Sequence, residues 1–408
     1  MNKIINFRRF SSKLGLNFND IKIIESSLKR KKGNLFMVGG TVRDLILKEK
    51  INTNPDLVCD LPIRLIVRCL KDQKIKVLDV GIKFGSVIAI PKNNPIDITS
   101  MRKDIKSDGR HPEIEYTKNI FEDAARRDFT VNSIYCDLKG NLFDPNGGIK
   151  DLKKSKIVFI GKPTERIQED FLRILRFLRF TLTYSSKFDS NGFKACLKFQ
   201  KKLKNLSFER RLYELSKILV TRNCEKQSSL KKIKSVLQSA LESNVSINNY
   251  ERLCKIERDL KLVSFERRLK FLTRKSKKKL NFLTKITKSF RKRLVSNLDI
   301  YKYSKYKIFK MMQSSEKFLI YDNVLIKYAD KQISRNRLLR EIRDFEKLEE
   351  KSFPVRGSDL MKFGFWEGKK VGLALDKIEK WWVENDLKPD KKHCLLYAKE
   401  LPTSKRRK

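Results

Sequence analysis

Hydrophobic and polar positions follow two different periods along this chain, and the change falls between residues 150 and 160. Residues 19 to 31 place Ile21, Ile24 and Leu28 on one stripe behind Asn19 or Asp20, which predicts a short capped helix. Residues 34–38 (Asn-Leu-Phe-Met-Val) form a short apolar run that ends in a glycine pair, the pattern of a buried strand entering a turn. Residues 41–48 read as helix. Strands are expected at 75–80, 86–90 and 96–100, with Pro91 to Pro95 turning the last two into a hairpin. Residues 130–138 and 141–143 read as a second hairpin around Lys139-Gly140. These segments make a mixed α/β head that ends near residue 150. Beyond residue 160 glycine and proline become sparse and a helical period continues to about residue 350, clearest at 165–183 and 208–220. Residues 264–293 read as basic amphipathic helices. A further shift comes at Phe353-Pro354, where Gly357, Gly364, Gly368 and Gly372 cluster, and residues 401–408 form a polar basic tail expected to be disordered.

Composition adds a statement about partners. The 408 residues leave room for about two to four domains. Lys and Arg number 94 against 48 Asp and Glu, a formal charge of +46. Such a charge points to a long polyanion, RNA or DNA ahead of an anionic membrane, although part of it fits a plain surplus of lysine at solvated positions. No apolar run reaches ~18 residues, so no membrane-spanning helix is expected. Seven cysteines are scattered without a C-x-x-C pair, and there are two histidines. A zinc site and a disulfide framework are therefore not expected, and a reducing compartment fits best. The first 19 residues lack acids and carry Arg8, Arg9, Ser11 and Ser12. They read as a basic arm, or more weakly as a matrix-targeting peptide. The cytoplasm is the expected location, with the mitochondrial matrix as the minor alternative.

Five segments carry candidate chemistry. Gly39-Gly40-Thr41-Val42-Arg43-Asp44 joins a glycine turn, over which backbone N–H groups can approach phosphate oxygens, to an arginine. Asn54-Pro55-Asp56 follows, an Asn-x-Asp where a D-x-D pair on a strand would hold two metal ions on one face. Arg126-Arg127-Asp128-Phe129-Thr130-Val131-Asn132 offers planar donors for phosphates or a base edge, with Asp128 and Asn132 able to bond a ribose hydroxyl or brace the arginines. Asp144-Pro145-Asn146-Gly147-Gly148-Ile149-Lys150-Asp151 is a turn that can hinge the head to the helical part. Glu169-Asp170-Phe171-Leu172-Arg173-Ile174-Leu175-Arg176 places Asp170, Arg173 and Arg176 on one side of a helix. A carboxylate acceptor beside a guanidinium donor can pair with the edge of cytosine or of adenine. Each segment alone also fits an ordinary turn, capped helix or solvated ladder of charges.

Taken in order, these segments and Phe208-Glu209-Arg210-Arg211-Leu212-Tyr213-Glu214-Leu215 resemble the successive motifs of the class II tRNA nucleotidyltransferase and bacterial poly(A) polymerase family. The resemblance is dense over residues 35–220 and returns at Phe353 to Pro389, where the tail looks like that of bacterial CCA-adding enzymes. It implies an α+β chain, a nucleotidyltransferase-type α/β head followed by an all-helical neck, body and tail. The implied divisions are an N-terminal arm and helix (1–30), a catalytic head (31–150), a neck with the nucleobase-selecting motif (151–220), an RNA-binding body (221–350) and a tail (351–408). The implied activity is addition of C, C and A, or part of that set, to tRNA 3′ ends from CTP and ATP without a template. Poly(A) synthesis is the first alternative. By the same resemblance Gly39, Gly40 and Arg43 contact the triphosphate, and Asp56 ligates Mg²⁺ with Asn54. Arg126, Arg127, Asp128 and Asn132 hold ribose and phosphates, while Asp170 and Arg173 read the base with Arg176 beside them. The segment from Arg102 to Pro112 is the mobile element that helps the switch from CTP to ATP. The acceptor arm and 3′ end of tRNA are the implied partner.

Asn54 departs from the family pattern, which has Asp there. Its amide oxygen can ligate Mg²⁺ but brings no charge, and two metals about 4 Å apart need charge. Asp60 lies ~13 Å from Asp56 along an extended strand, too far to substitute. Asp97, on the strand expected at 96–100, is proposed as the third carboxylate. Pro55 cannot donate to a ladder, so an irregular or edge strand is expected there. Asn54 thus predicts weakened but retained catalysis, raised by Asn54→Asp, with a catalytically weakened tRNA-binding relative as the second alternative.

Overall fold

A computed structural model describes residues 18–47, 55–92, 94–106, 113–185, 187–276, 285–362 and 369–401. The chain divides into two compact units, Met1–Asn244 and Val245–Lys408.

In the first unit the order is α1 (Phe18–Lys29), β1 (Leu35–Val38), α2 (Gly40–Leu47), β2 (Asp56–Cys59), α3 (Ile63–Asp72), β3 (Lys76–Gly81), β4 (Ser86–Ile90), β5 (Ile96–Ser100), β6 (Arg102–Lys106), β7 (Glu113–Tyr116), α4 (Ile120–Ala125), β8 (Tyr135–Asp137) and β9 (Leu142–Phe143). Helices follow: α5 (Gly148–Lys153), α6 (Pro163–Glu169), α7 (Leu172–Tyr184), α8 (Ser190–Phe199), α9 (Phe208–Leu219), α10 (Arg222–Glu225) and α11 (Gln227–Leu241). A seven-stranded sheet runs in the order β3-β4-β5-β2-β1-β8-β9, while β6 and β7 form a separate ribbon. The β2–β5 pair is parallel; its neighbours in the sheet are antiparallel.

The apolar stripe of α1 does what its spacing predicts. Ile21, Ile24 and Leu28 are fully buried, in one core with Ile66 and Leu70 of α3 and Leu57, Cys59, Ile96 and Ile98 of the sheet. Each such side chain contributes about 1.5–3 kcal/mol on burial. Val58 points to the other face, where it packs with Val38, Met101, Ala124 and Tyr135. Burial on both faces explains why Leu57-Val58-Cys59 is continuously apolar rather than alternating. Pro55 does not make an edge: it sits just before the first residue of β2, where the ladder needs nothing from it, and β2 lies between β1 and β5.

Two further expectations are corrected. The expected strand 130–138 begins with a 3-10 turn, Thr130–Asn132, and the strand itself is Tyr135–Asp137. The expected helix 165–183 is two helices broken at Asp170, whose backbone is extended (φ −152°, ψ 109°). The Asp170 carboxylate accepts from the N–H of Leu172 at 3.0 Å, a local bond that competes with the helix ladder.

The segment 144–151 is a brace rather than a hinge. Asp144 caps α5 by accepting from the N–H groups of Gly148 and Ile149 at 2.7 and 2.9 Å. A Cβ on Gly148 would stand 2.1 Å from the Thr130 carbonyl oxygen, so only glycine permits that approach. Asp151 accepts from the Thr130 hydroxyl at 2.7 Å, and the brace thereby fixes the turn that carries Asn132.

The second unit is helical in its described residues: α12 (Tyr250–Asp259), α13 (Phe265–Thr273), α14 (Lys288–Val295), α15 (Lys305–Met312), α16 (Lys317–Ala329), α17 (Arg335–Glu350), α18 (Gly357–Lys362), α19 (Lys369–Glu384) and α20 (Lys391–Glu400). The basic run 264–293 is not wholly a solvated face. Arg267 and Arg268 are buried, and they bond Glu257 at 2.8 and 2.6 Å, with Asp322 holding Arg267 at 2.8 Å and Arg293 at 2.7 Å. Among the described residues no helix is long and apolar enough to cross a membrane. All seven cysteines are buried and free.

Candidate active site

The glycine turn joins β1 to α2. Gly39 has φ +65°, a left-handed conformation that glycine adopts without strain. A Cβ there would lie 3.5 Å from Asp56 Oδ2 and 3.8 Å from Arg127 Nη1, and one on Gly40 would lie 3.4 Å from Arg43 Nη2. The bare turn therefore borders a carboxylate and two guanidinium groups. Thr41 ties it to β2 by accepting the Asp56 N–H at 3.0 Å.

Asp56 and Asp97 are direct partners in the parallel β2–β5 register, and both are exposed. In-register neighbours project to the same face. Surrounding protein pushes the Asp56 carboxyl above its ordinary range; Arg127 opposes the rise, Asp97 adds to it, and Arg43 and the Gly40 N–H oppose it. Two carboxylates in this relation suit a hard cation with oxygen ligands. Asp60 is engaged elsewhere, accepting from the backbone and side-chain nitrogens of Asn34 at 2.7 Å each. Asn54 and the segment Asp108-Gly109-Arg110-His111 lie outside the described residues, as do the basic termini, Gly364 and Gly368.

Behind the turn runs a chain of hydrogen bonds. Arg43, only 5% exposed, donates to Asn132 Oδ1 at 2.8 Å, to the Tyr184 hydroxyl at 2.7 Å and to Asp44 at 3.0 Å. Asn132 in turn donates to Asp128 Oδ1 at 3.0 Å, and Asp128 Oδ2 accepts from Arg176 Nε at 2.7 Å. Burial alone would raise the Asp128 carboxyl, but Arg176 and Asn132 outweigh it and hold it below the usual range. The 3-10 turn puts Asn132 between Arg43 and Asp128, and the chain begins and ends on α7.

The paired arginines are set by residues that the motifs do not single out. Asp123 is fully buried and bonds Arg126 at 2.7 Å and Arg127 at 3.0 Å, and Tyr135 donates to it at 2.6 Å. Burial would raise its pKa, yet Arg127, Arg126 and Tyr135 together pull it far below the carboxylate range. Arg166 donates to the carbonyls of Arg126 and Arg127 at 2.6 and 2.7 Å, latching the neck to that strand of backbone.

Asp170 and Arg173 do not bond each other through their side chains. Asp170 Oδ2 accepts from Arg210 Nη2 at 2.8 Å, and Arg173 donates to Glu169 at 2.5 Å and to the Arg166 carbonyl at 2.8 Å. Arg210 belongs to the Phe208-Glu209-Arg210-Arg211 motif, so its presence was signalled but not its role. Glu214, from the same motif, is buried and bonds Arg179 at 2.6 Å. The structure thus gathers Gly39, Gly40, Arg43, Asp56, Asp97, Arg127, Asp128 and Asn132 around one turn, with Arg126 and Arg176 at its margin and Asp170 and Arg173 across the neck.

Comparisons with known proteins agree with this architecture. The family model of the poly A polymerase head domain matches residues 35–158. The human mitochondrial CCA tRNA nucleotidyltransferase 1 is 29% identical over 399 residues, covering 93% of this chain and 90% of that protein. The CCA-adding enzyme of Lactococcus lactis subsp. cremoris (strain MG1363) is 29% identical over 378 residues, covering 90% and 92%. Among solved structures, the Bacillus stearothermophilus CCA-adding enzyme in complex with CTP has a TM-score of 0.67 at 21% identity, covering 94% of this chain and 97% of that one. The Thermotoga maritima CCA-adding enzyme complexed with tRNA has a TM-score of 0.62 at 18% identity, covering 98% and 99%. With the glycine turn, the carboxylate pair and the neck motifs in place, this chain is similar to the poly A polymerase head domain over residues 35–158 and to CCA-adding enzymes over nine-tenths of its length.

Proposed function

We infer that the protein is a CCA-adding enzyme that extends tRNA 3′ ends from CTP and ATP. The observation that carries this is the Asp56–Asp97 pair beside the glycine turn, in a chain similar to CCA-adding enzymes over nine-tenths of its length. In this reading the Gly39-Gly40 backbone, Arg43, Arg126 and Arg127 receive the triphosphate. Asp128 and Asn132 keep the arginines in place and bond the ribose. Asp170 and Arg173 read the base, with Arg210 and Glu169 orienting them and Arg176 anchoring the neck to Asp128.

Asp56 and Asp97 fit Mg²⁺, which is commonly bound by one or two carboxylates plus substrate phosphates. Among the described residues no group of three acid, histidine or cysteine ligands stands ready, so phosphate and water oxygens would complete the shell. Bound there, the cation supplies positive charge to the reacting phosphate and to the 3′-hydroxyl. The carboxylates hold their charge toward that point, and the arginines orient the triphosphate for in-line attack. The 3′-hydroxyl gives up its proton to water, the bond from O3′ to the α-phosphorus forms as the bond to the bridging oxygen breaks, and pyrophosphate leaves. Fixed donors aimed at developing charge are the main contribution of such a site. Seven free, buried cysteines suit a reducing compartment, the cytoplasm in this reading.

The test is incubation with tRNA lacking its 3′ end, first with CTP and then with both nucleotides. Two added C residues followed by one A support the reading. Long A tracts from ATP alone would assign poly(A) synthesis instead, and salt-sensitive tRNA binding without incorporation would mark a binding relative.

A further inference from the structure

Helices α8 and α11 of the first unit carry a surface that the nucleotide site does not use. Helix α8 and the 3-10 turn Gln200–Asn205 that continues it contain no Asp or Glu, and neither does α11. The turn packs on α11, with Leu203, Ile233 and Leu237 all fully buried. Two acid-free segments are thereby held side by side. Lys194, Lys198, Lys201, Lys202, Lys231 and Lys232 are exposed on them, and among the described residues none of the six is held in an ion pair. Lys232 of α11 reaches across to α8, its ammonium 5.3 Å from the Phe193 ring centre, so the two runs form one patch.

Some lysines elsewhere sit beside acids, as in Lys103–Glu115 and Lys310–Glu379, whereas the exposed Lys153, Lys154 and Lys156 make no ion pair among the described residues. What sets the α8–α11 patch apart is that both of its segments lack acids and are packed side by side. Like charges held together repel, and a polyanion relieves that repulsion. Lysine is a point charge on a flexible stem, suited to phosphates rather than to planar base edges. Lys194, Lys198 and Lys201 lie at i, i+4 and i+7, roughly 10 Å along one side at helical rise. No large apolar side chain is exposed on α8, the turn or α11, which argues against insertion into a membrane. The patch is also continuous with the base-reading segment: the Phe199 ring lies 6.4 Å from that of Phe171, the neighbour of Asp170.

We propose that this lysine face is a docking surface for the sugar-phosphate backbone of the RNA stem adjoining the 3′ end that enters the site. The proposal rests on the tRNA reading above. Its test is the full chain with Lys201, Lys202, Lys231 and Lys232 all changed to Gln, and a companion with all four changed to Arg. Binding of tRNA lacking CCA is measured across a salt series, with CTP incorporation at saturating tRNA alongside. For the Gln variant the slope of log K against log salt becomes shallower by about 0.9 for each phosphate that is no longer neutralised. KM for tRNA rises about tenfold or more, kcat is unchanged, and the Arg variant behaves as wild type. A wild-type slope and KM in the Gln variant would overturn the proposal. Binding to anionic vesicles that the Gln variant loses, with its tRNA slope intact, would assign the face to a membrane and overturn it as well. Should the wild-type protein incorporate no nucleotide, the functional reading fails, while the slope difference still decides the surface.

Discussion

The hydroxyl of Tyr184 accepts a 2.7 Å hydrogen bond from Arg43, and the Tyr184 ring centre lies 4.2 Å from the same guanidinium group. One residue at the end of α7 thus fixes the arginine of the glycine turn by stacking and by a hydrogen bond. Tyr184→Phe keeps the stack and loses the bond. A hydrogen bond to a charged group contributes about 1.5–3 kcal/mol, so kcat/KM for CTP is expected to fall roughly 10- to 100-fold. Tyr184→Leu, which also loses the cation–π interaction, is expected to fall further. Steady-state kinetics with both variants checks this; equal activity of Tyr184→Phe and wild type would show that Arg43 needs no support from the neck.

Arg210 is expected to control base choice. Its bond to Asp170 Oδ2 at 2.8 Å orients the carboxylate proposed to accept from the exocyclic amine of cytosine or adenine. Arg210→Ala should lower discrimination of CTP over UTP by about 1–3 kcal/mol, roughly 5- to 200-fold, with less effect on tRNA binding. Competition between labelled CTP and UTP measures the ratio directly. An unchanged ratio would remove Arg210 from the specificity apparatus.

Asp123 makes a pH-dependent contribution whose sign follows from its depressed pKa. The folded protein binds the Asp123 proton less readily than the unfolded chain does, so its stabilisation is complete above about pH 4 and fades as pH falls below it. Asp123→Asn is expected to cost about 3–5 kcal/mol at pH 7, because Arg126 and Arg127 lose their buried partner. Urea denaturation at pH 7 and pH 3 tests this, and a deficit that does not shrink at pH 3 would contradict it.

Asp56 has the opposite sign. Its carboxyl is raised, so the metal-free fold loses a contribution as pH climbs through the raised pKa. Removing the charge with Asp56→Asn should therefore leave the metal-free protein as stable as wild type or more so at pH 7, while nucleotide incorporation falls by at least ~100-fold. Thermal unfolding with and without Mg²⁺, read alongside activity, checks both halves. A variant that is both destabilised and active would reverse the assignment.

Much of the head was legible in the sequence because its signals are local. The Ile21, Ile24 and Leu28 stripe, the strand runs and the glycine turn each depend on neighbours a few residues away, and the place of Asp97 on a strand beside Asp56 followed from its strand context. The break at Asp170 was not legible, since Ile167, Ile174 and Leu178 keep a helical spacing across it and the Asp170 side chain's bond to the Leu172 N–H competes with the helix ladder there. Tyr184 gave no signal because its partner is 141 residues away in the chain. Arg267 and Arg268 were read within a run of basic amphipathic helices because a charge pattern does not show that Glu257 and Asp322 wait for them inside the fold.

The central claim is that Asp56 and Asp97, partners across β2 and β5, form the carboxylate pair on which nucleotidyl transfer depends. CTP incorporation into tRNA lacking its 3′ end by Asp97→Asn tests it most directly, with tRNA affinity measured in the same preparation. The expected result is at least ~100-fold lower turnover with tRNA affinity unchanged. Wild-type turnover by that variant would contradict the account.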